Sequence, residues 1–191
     1  MGKPLLIIVN GLPGTGKTTL AKRLAADVRL PVFHRDGIYE TLYDALECHI
    51  NGRPPLIGPA AFTLLHYFAS SLLAAGQSLI VEGFFGLSEV GRAEFLQLQR
   101  AHDFEPFQIQ CKTDGPVLLE RFLERAGTRE RHACHRDLEF VEQNKERILK
   151  GHHPHLALGG QVVEVDTTTY SFDYAGLLNC IHIALLDTLK S

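Results

Sequence analysis

The sequence predicts an α/β domain, a parallel sheet with helices on both faces. Three observations carry that reading. Leu5 to Val9 is a continuous apolar run that ends in a glycine-rich turn, the pattern of a strand buried on both faces. The turn passes directly into a segment of helical period. Further short apolar runs then alternate with helical patterns to the end of the chain. At 191 residues, 45% hydrophobic and 21% charged, the chain is in the range of one domain, residues 1–191, able to bury a core without disulfides or metals.

The elements follow in order. Leu5 to Val9 is expected to be the central strand. Leu20, Leu24 and Val28 repeat at helical spacing with Lys22, Arg23 and Asp27 between them, and Pro31 disfavours helix at Leu30. Val32 to His34 is a short second strand, followed by a helix with Ile38, Leu42 and Leu46 on one stripe and Tyr39 and Tyr43 beside it. Asn51-Gly52-Arg53-Pro54-Pro55 breaks the chain before a long helix from Pro59 to Ala75, which Gly76 stops. Ser78 to Glu82, Phe107 to Cys111 and Val162 to Asp166 read as three more strands. Helices at Pro116 to Ala126, Asp137 to Lys150 and Phe172 to Leu189 complete the chain, with no internal repeat or linker.

The strongest chemical signal is Gly11-Leu12-Pro13-Gly14-Thr15-Gly16-Lys17-Thr18, which fits GxxxxGK[ST] between a strand and a helix, as that motif requires. Glycines let the backbone wrap a phosphate so that successive N–H groups and the positive helix end face the anion. Lys17 is placed to reach the β and γ phosphates, Thr18 to be a Mg2+ ligand and Thr19 to contact the α phosphate. ATP and Mg2+ are the expected ligands. A GTPase is disfavoured: no DxxG and NKxD pair stands in order, and Asn144-Lys145-Glu146-Arg147 lacks the aspartate.

Taken with His34-Arg35-Asp36, Leu79-Ile80-Val81-Glu82-Gly83 and the arginine-rich stretch from Arg121 to Arg136, this loop resembles the small-molecule kinase branch of P-loop proteins. That group includes shikimate and gluconate kinases, chloramphenicol phosphotransferase, zeta toxins and the polynucleotide kinase domain. Arg131-His132-Ala133-Cys134-His135 is similar to the RHxxH element of AAA_33-type ATP-binding proteins. The resemblance implies a P-loop NTPase fold of five parallel strands in the order 2-3-1-4-5, with an arginine-rich lid over about residues 121–137. It implies an ATP-dependent kinase for a hydroxyl of a small-molecule acceptor, with a nucleotide or polynucleotide 5′-hydroxyl kinase and an ATP-binding regulatory module as alternatives.

Asp36 falls at the carboxyl end of a strand, where ligands of open parallel sheets bind, and the family likeness makes it the base or orienter of the acceptor hydroxyl; capping of the next helix is its bland role. Arg35, Tyr39, Glu82, Gly83 and Phe84 join it as candidate acceptor contacts. Glu82 ends a buried strand, where a carboxylate needs a partner or a cation, and a water-mediated Mg2+ contact would supply one. Phosphoryl transfer needs cations around the migrating group, so Arg125 and Arg131 are the candidate catalytic arginines beside Lys17; the alternative is a solvated face paired with Glu120, Glu124 and Glu130. Asp166 and Thr167, at the end of the fifth strand, complete the candidate ATP-binding set with the P-loop and Arg125. Tyr43, Phe62 and His66 are further candidates to line the acceptor pocket.

Composition sets the remaining bounds. A net charge of -3 gives no global field for a long nucleic acid or an anionic membrane. No run reads as a membrane span of roughly 20 apolar residues, and the N-terminus lacks a signal-peptide pattern, so a soluble cytoplasmic protein is expected. Cys48, Cys111, Cys134 and Cys180 form no CxxC. His132, Cys134, His135, His152, His153 and His155 match no standard zinc spacing, and loop histidines are the simpler account.

Overall fold

The structure is a computed structural model that describes residues 2–86, 89–129, 131–169 and 171–188, with the side chains of 89–92 outside the description. The elements, in chain order, are β1 (Leu5–Gly11), α1 (Lys17–Val28), β2 (Val32–His34), α2 (Arg35–Ala45), α3 (Cys48–Asn51), α4 (Ile57–Ala74), β3 (Leu79–Gly83), α5 (Glu89–Ala101), β4 (Glu105–Lys112), α6 (Gly115–Arg125), α7 (Asp137–Leu149), β5 (Gln161–Asp166) and α8 (Tyr174–Thr188). All strand pairs are parallel and the order is β2-β3-β1-β4-β5, as the family resemblance implies. The expected end of the last helix, Leu189, lies outside the described residues.

Strand β1 is central because it is apolar on both faces. Alternate side chains go to opposite sides of a strand, so Leu5, Ile7 and Val9 pack with Leu20, Leu24, Leu177 and Ile181 of α1 and α8. Leu6 and Ile8 pack instead with Leu65, Ala69 and Leu73 of α4 and Phe95 of α5. Each such side chain contributes roughly 1.5–3 kcal/mol on burial, so one buried charge in β1 would disrupt both layers. A third cluster joins Leu12 and Phe84 to Leu118, Phe122, Val141 and Ile148, seating the P-loop on α6 and α7.

Register fixes the site. Val9, Glu82 and His34 stand in one row across β1, β3 and β2, so the carboxyl ends of three strands open on the same edge of the sheet. Two expectations shift. Leu46 is 48% exposed, because α2 ends at Ala45 and turns away from the stripe that buries Tyr39. Helix α4, with mean hydropathy 1.3 over 18 residues, does reach the length and apolarity of a membrane span, which the sequence reading did not expect. Its stripe of Ala61, Leu65, Ala69 and Leu73 is buried within the protein.

Candidate active site

The P-loop is held open by its backbone. Gly14 and Gly16 adopt φ of 91° and 76°, the left-handed region that favours glycine. Gly16 caps α1 without a side-chain cap, so the first amides of the helix are left to face an anion. A Cβ on Gly14 would approach Leu118 Cδ1 to 2.9 Å, which ties the turn to α6. Buried Thr15 braces the loop from within: its hydroxyl donates to Leu12 O at 2.8 Å, and its own carbonyl accepts from Thr167 Oγ1 at 2.9 Å.

Glu82 is the hub of the nucleotide side. Its side chain is 2% exposed and lies 3.5 Å from Lys17 Nζ. Thr18 Oγ1 donates to Oε2 at 3.1 Å, and His34 Nδ1 sits 2.9 Å from the same oxygen. A buried carboxylate with three such partners meets the requirement that the sequence posed. The donor set also suits a hard cation, since a hydroxyl that donates to a carboxylate keeps lone pairs for Mg2+. Around it runs a cleft of about 650 Å³, lined among others by Gly14, Gly16, Thr18, Thr19, Arg121 and Arg125.

Asp36 opens α2, directly after β2. Its Oδ1 accepts from Arg35 Nη1 at 3.1 Å. Burial acts to raise its pKa, but the Lys17, Arg35 and His135 charges outweigh that and hold the carboxyl below its usual value. Arg35 is clamped over the rings of Phe62, 4.7 Å from its centroid, and Tyr39, at 5.1 Å. Tyr39, Phe62 and Phe84 line a second cleft of about 540 Å³ on this side. Phe85 does not, being packed in the core against Phe95.

The arginine-rich segment divides by partner. Arg131 donates twice to buried Asp137, at 2.7 and 2.8 Å. Arg125 Nε is 3.6 Å from the same carboxylate, and its guanidinium lies 4.9 Å from the centre of the Phe122 ring. Burial, joined by the neighbouring Arg131 charge, lowers the Arg125 pKa from its usual value. Arg121 donates to the carbonyls of Thr167 and Thr168 at 2.9 and 2.7 Å, fastening α6 to the loop after β5. His132 and His135 fasten the segment to α2 through Asp44 and Glu40, at 3.2 and 2.6 Å. Arg129 is exposed, and Glu130 lies outside the described residues.

The structure therefore brings together Lys17, Thr18, Asp36, Glu82, Arg125 and Arg131 at one edge of the sheet, with Arg35, Tyr39 and Phe84 beside them. It does not bring Asp166 or Thr167 into either cleft. Asp166 instead accepts from Thr168 N at 2.9 Å, and Thr167 braces the P-loop from behind. Gly83 lines neither cleft; a Cβ there would meet the Phe85 ring at 2.9 Å. Tyr43 packs on His132 and His66 on Phe95, away from the acceptor side. Of the histidines that suggested zinc, His153 packs on Phe84, whereas Cys134 and His135 meet Glu40 within 4.8 Å. Burial pushes the Cys134 thiol up to about 12, and the 2.6 Å contact between His135 and Glu40 accounts for the rest of that group.

Sequence reasoning missed Asp137, Glu40 and Asn10. Asn10 Oδ1 accepts from Gly11 N and Phe85 N at 2.9 and 3.1 Å, joining the P-loop to the loop after β3. Its one signal was a polar residue ending an apolar run. Asp137 and Glu40 carried none, since surface helices abound in acids.

Residues 6–148 match the AAA_33 family, described as an AAA domain. A candidate kinase from Chloroflexus aurantiacus is similar in structure with a TM-score of 0.81 and 34% identity, over 98% of this chain and 99% of that one. An APS kinase of Mycobacterium tuberculosis, solved with AMPPNP and APS, shares the fold at a TM-score of 0.58 and 16% identity, over 100% of this chain and 99% of that one. An uncharacterized protein of Mycobacterium bovis is 28% identical over 131 residues, 64% of this chain, and the match spans only 26% of that protein's length. With its P-loop, its sheet order and three quarters of its length matched, the chain belongs to the AAA_33 family of P-loop proteins.

Proposed function

We infer that the chain is an ATP- and Mg2+-dependent phosphotransferase acting on a hydroxyl of a small-molecule acceptor. The observation that carries this is the junction of two clefts. The P-loop cleft and the aromatic cleft share Pro13, Lys17, Asp36 and Arg131 in their walls, so a phosphoryl group can be handed from one to the other there. A volume of about 540 Å³ suits a small molecule. The likeness to a candidate kinase at 34% identity supports the same reading.

In the proposed reaction the acceptor oxygen attacks the γ phosphorus, and the bond from that phosphorus to the β,γ-bridging oxygen breaks. ADP leaves, and the hydroxyl proton passes to Asp36, which its cationic neighbours keep ionised and ready to accept. Lys17 turns from Glu82 to the phosphate oxygens. Arg131, held by Asp137, and Arg125 beside it meet charge that develops on the migrating phosphoryl. Thr18 would hold Mg2+, with Glu82 orienting its shell, and the ion supplies charge neutralisation. Residues 121–137 serve as a lid on a single 191-residue unit in this reading.

The test is ADP formation with Mg-ATP over a panel of hydroxylated metabolites. A phosphotransferase gives acceptor-dependent ADP and a phosphorylated product. A flat background across the panel, with Mg-ATP bound, would instead mark an ATP-binding regulator.

A further inference from the structure

Charge in the aromatic cleft does not balance. Among the described residues, Lys17, Arg35, Arg53, Arg131 and Arg136 line it, against Asp36, Asp137 and Glu139. Three cations are paired: Arg35 with Asp36 at 3.1 Å, Arg131 with Asp137 at 2.7 Å and Arg136 with Glu139 at 3.2 Å. Lys17 belongs to the P-loop side, where it faces Glu82. That leaves Arg53. Among the described residues its one hydrogen bond goes from Nη1 to the Tyr39 hydroxyl at 3.0 Å, and Glu139, already bonded to Arg136, acts on it only through space, without a direct ion pair. A guanidinium has five donors in a planar fork that fits an oxyanion, and Arg53, an exposed residue on the cleft wall, keeps donors that no described residue takes up.

Tyr39 links this cation to the transfer site. Arg53 bonds its hydroxyl, and Arg35 lies against its ring, 5.1 Å from the centroid, while also holding Asp36. Arg35 Nε is itself buried without a hydrogen-bond partner. The wall between is apolar, from Phe62, Phe84 and Phe122. An uncharged polyol could accept hydrogen bonds from these donors but would leave the Arg53 charge without a counter-charge and would wet that wall at a cost.

Resting on the phosphotransferase reading of this site, we propose that the acceptor carries an oxyanion, a carboxylate or a phosphate ester, which Arg53 binds beside Tyr39 while an apolar framework presents its hydroxyl to Asp36. Arg53 is thus a specificity residue, and Arg35 positions both ends of the acceptor.

The test separates this from the kinase reading by using binding as its readout. Protein loaded with Mg-AMPPNP is titrated calorimetrically with 4-(hydroxymethyl)benzoate and its uncharged partner 4-(hydroxymethyl)benzamide, and with glycerol 3-phosphate and glycerol. In at least one pair the anion binds tenfold or more tighter than its partner, and Arg53→Gln abolishes that preference while the AMPPNP thermal shift reports an intact fold. The two pairs distinguish carboxylate from phosphate. Equal binding within both pairs, no anion binding up to millimolar concentration, or an anion preference that survives Arg53→Gln would each overturn the proposal. Failure of the kinase reading alone would look different: the anion still binds through Arg53, but no acceptor stimulates ADP formation.

Discussion

Arg131→Ala separates a transition-state cation from a structural one, because the structure sets a different magnitude for each role. Arg131 makes a two-pronged bond to Asp137, whose side chain is 7% exposed. Removing the arginine strands a buried carboxylate, which costs roughly 3–5 kcal/mol. Arg125, 3.6 Å from the same oxygen, remains as a substitute cation and puts the loss near the lower end, about 3 kcal/mol. A stability loss of that size leaves turnover per folded molecule almost untouched. If Arg131 also meets the migrating phosphoryl, turnover falls by about 10³-fold or more, equivalent to roughly 4 kcal/mol of barrier. The assay is acceptor-dependent ADP formation at saturating substrates, corrected for folded fraction by circular dichroism, in parent, Arg131→Ala and Asp137→Asn proteins. Asp137→Asn keeps the cation but loosens its tether, so its turnover should fall less than that of Arg131→Ala. Turnover of Arg131→Ala within about threefold of the parent, far short of the arginine-finger range, would refute the assignment.

Three further outcomes are expected. Mg-ATP raises the melting temperature by linkage, about 2.7 kcal/mol at a hundredfold excess over Kd, and Lys17→Ala or chelation of Mg2+ largely removes the shift; an unchanged shift in folded Lys17→Ala protein would sink the phosphate site. Asp36→Asn keeps that shift while turnover drops roughly 10²–10⁴-fold, and the acid limb of the parent's turnover lies below the usual carboxylate range because the folded pKa is lowered; equal loss of nucleotide binding would point to a metal or folding role. His66, 3.1 Å from Glu94 without hydrogen-bond geometry, is pushed down to about 4 by burial. Its neutral form is favoured in the fold, so stability present above the unfolded value near 6.5 is lost as pH falls toward 4, by about 3 kcal/mol at most. His66→Leu should flatten that acid slope in thermal melts from pH 7 to 4, and an unaltered slope would exclude His66 as its source.

How much of this was legible follows from the range of each interaction. The P-loop, the central strand and the alternation were readable because each is a local pattern: apolar run, glycine spacing, helical period. Sheet order was not, since Ile7 pairs with both Ile80 and Phe107 through contacts some 70 to 100 residues away, and only the family likeness supplied it. Asp36 and Glu82 were readable as polar residues at strand ends. Asp137 was not, because nothing in a helix-starting acid says that it will be buried beneath two arginines. Asp166 and Thr167 were placed by position alone, and position could not tell a residue that faces the nucleotide cleft from one that braces the loop behind it. Helix α4 misled in the opposite sense: interspersed Thr63, His66 and Ser70 mask an average apolarity that only a full window reveals.

The charges at this edge of the sheet are a poor way to stabilise a domain. Glu82 and Asp137 are nearly inaccessible, Lys17 is 7% exposed at its side chain, and Arg125 has two buried nitrogens without hydrogen-bond partners. Buried ion pairs roughly break even with apolar packing at best, and the clusters on either side of β1 already supply the burial that the fold needs. In the proposed reaction a phosphoryl group supplies what the resting site lacks: its oxygens offer acceptors to Lys17, where the two clefts meet, and to Arg125 on the P-loop side. Stability and reactivity are therefore set against each other here: replacing Arg125 by a well-packed methionine should leave the fold as stable or more so while lowering turnover, the pattern expected of a preorganised electrostatic site.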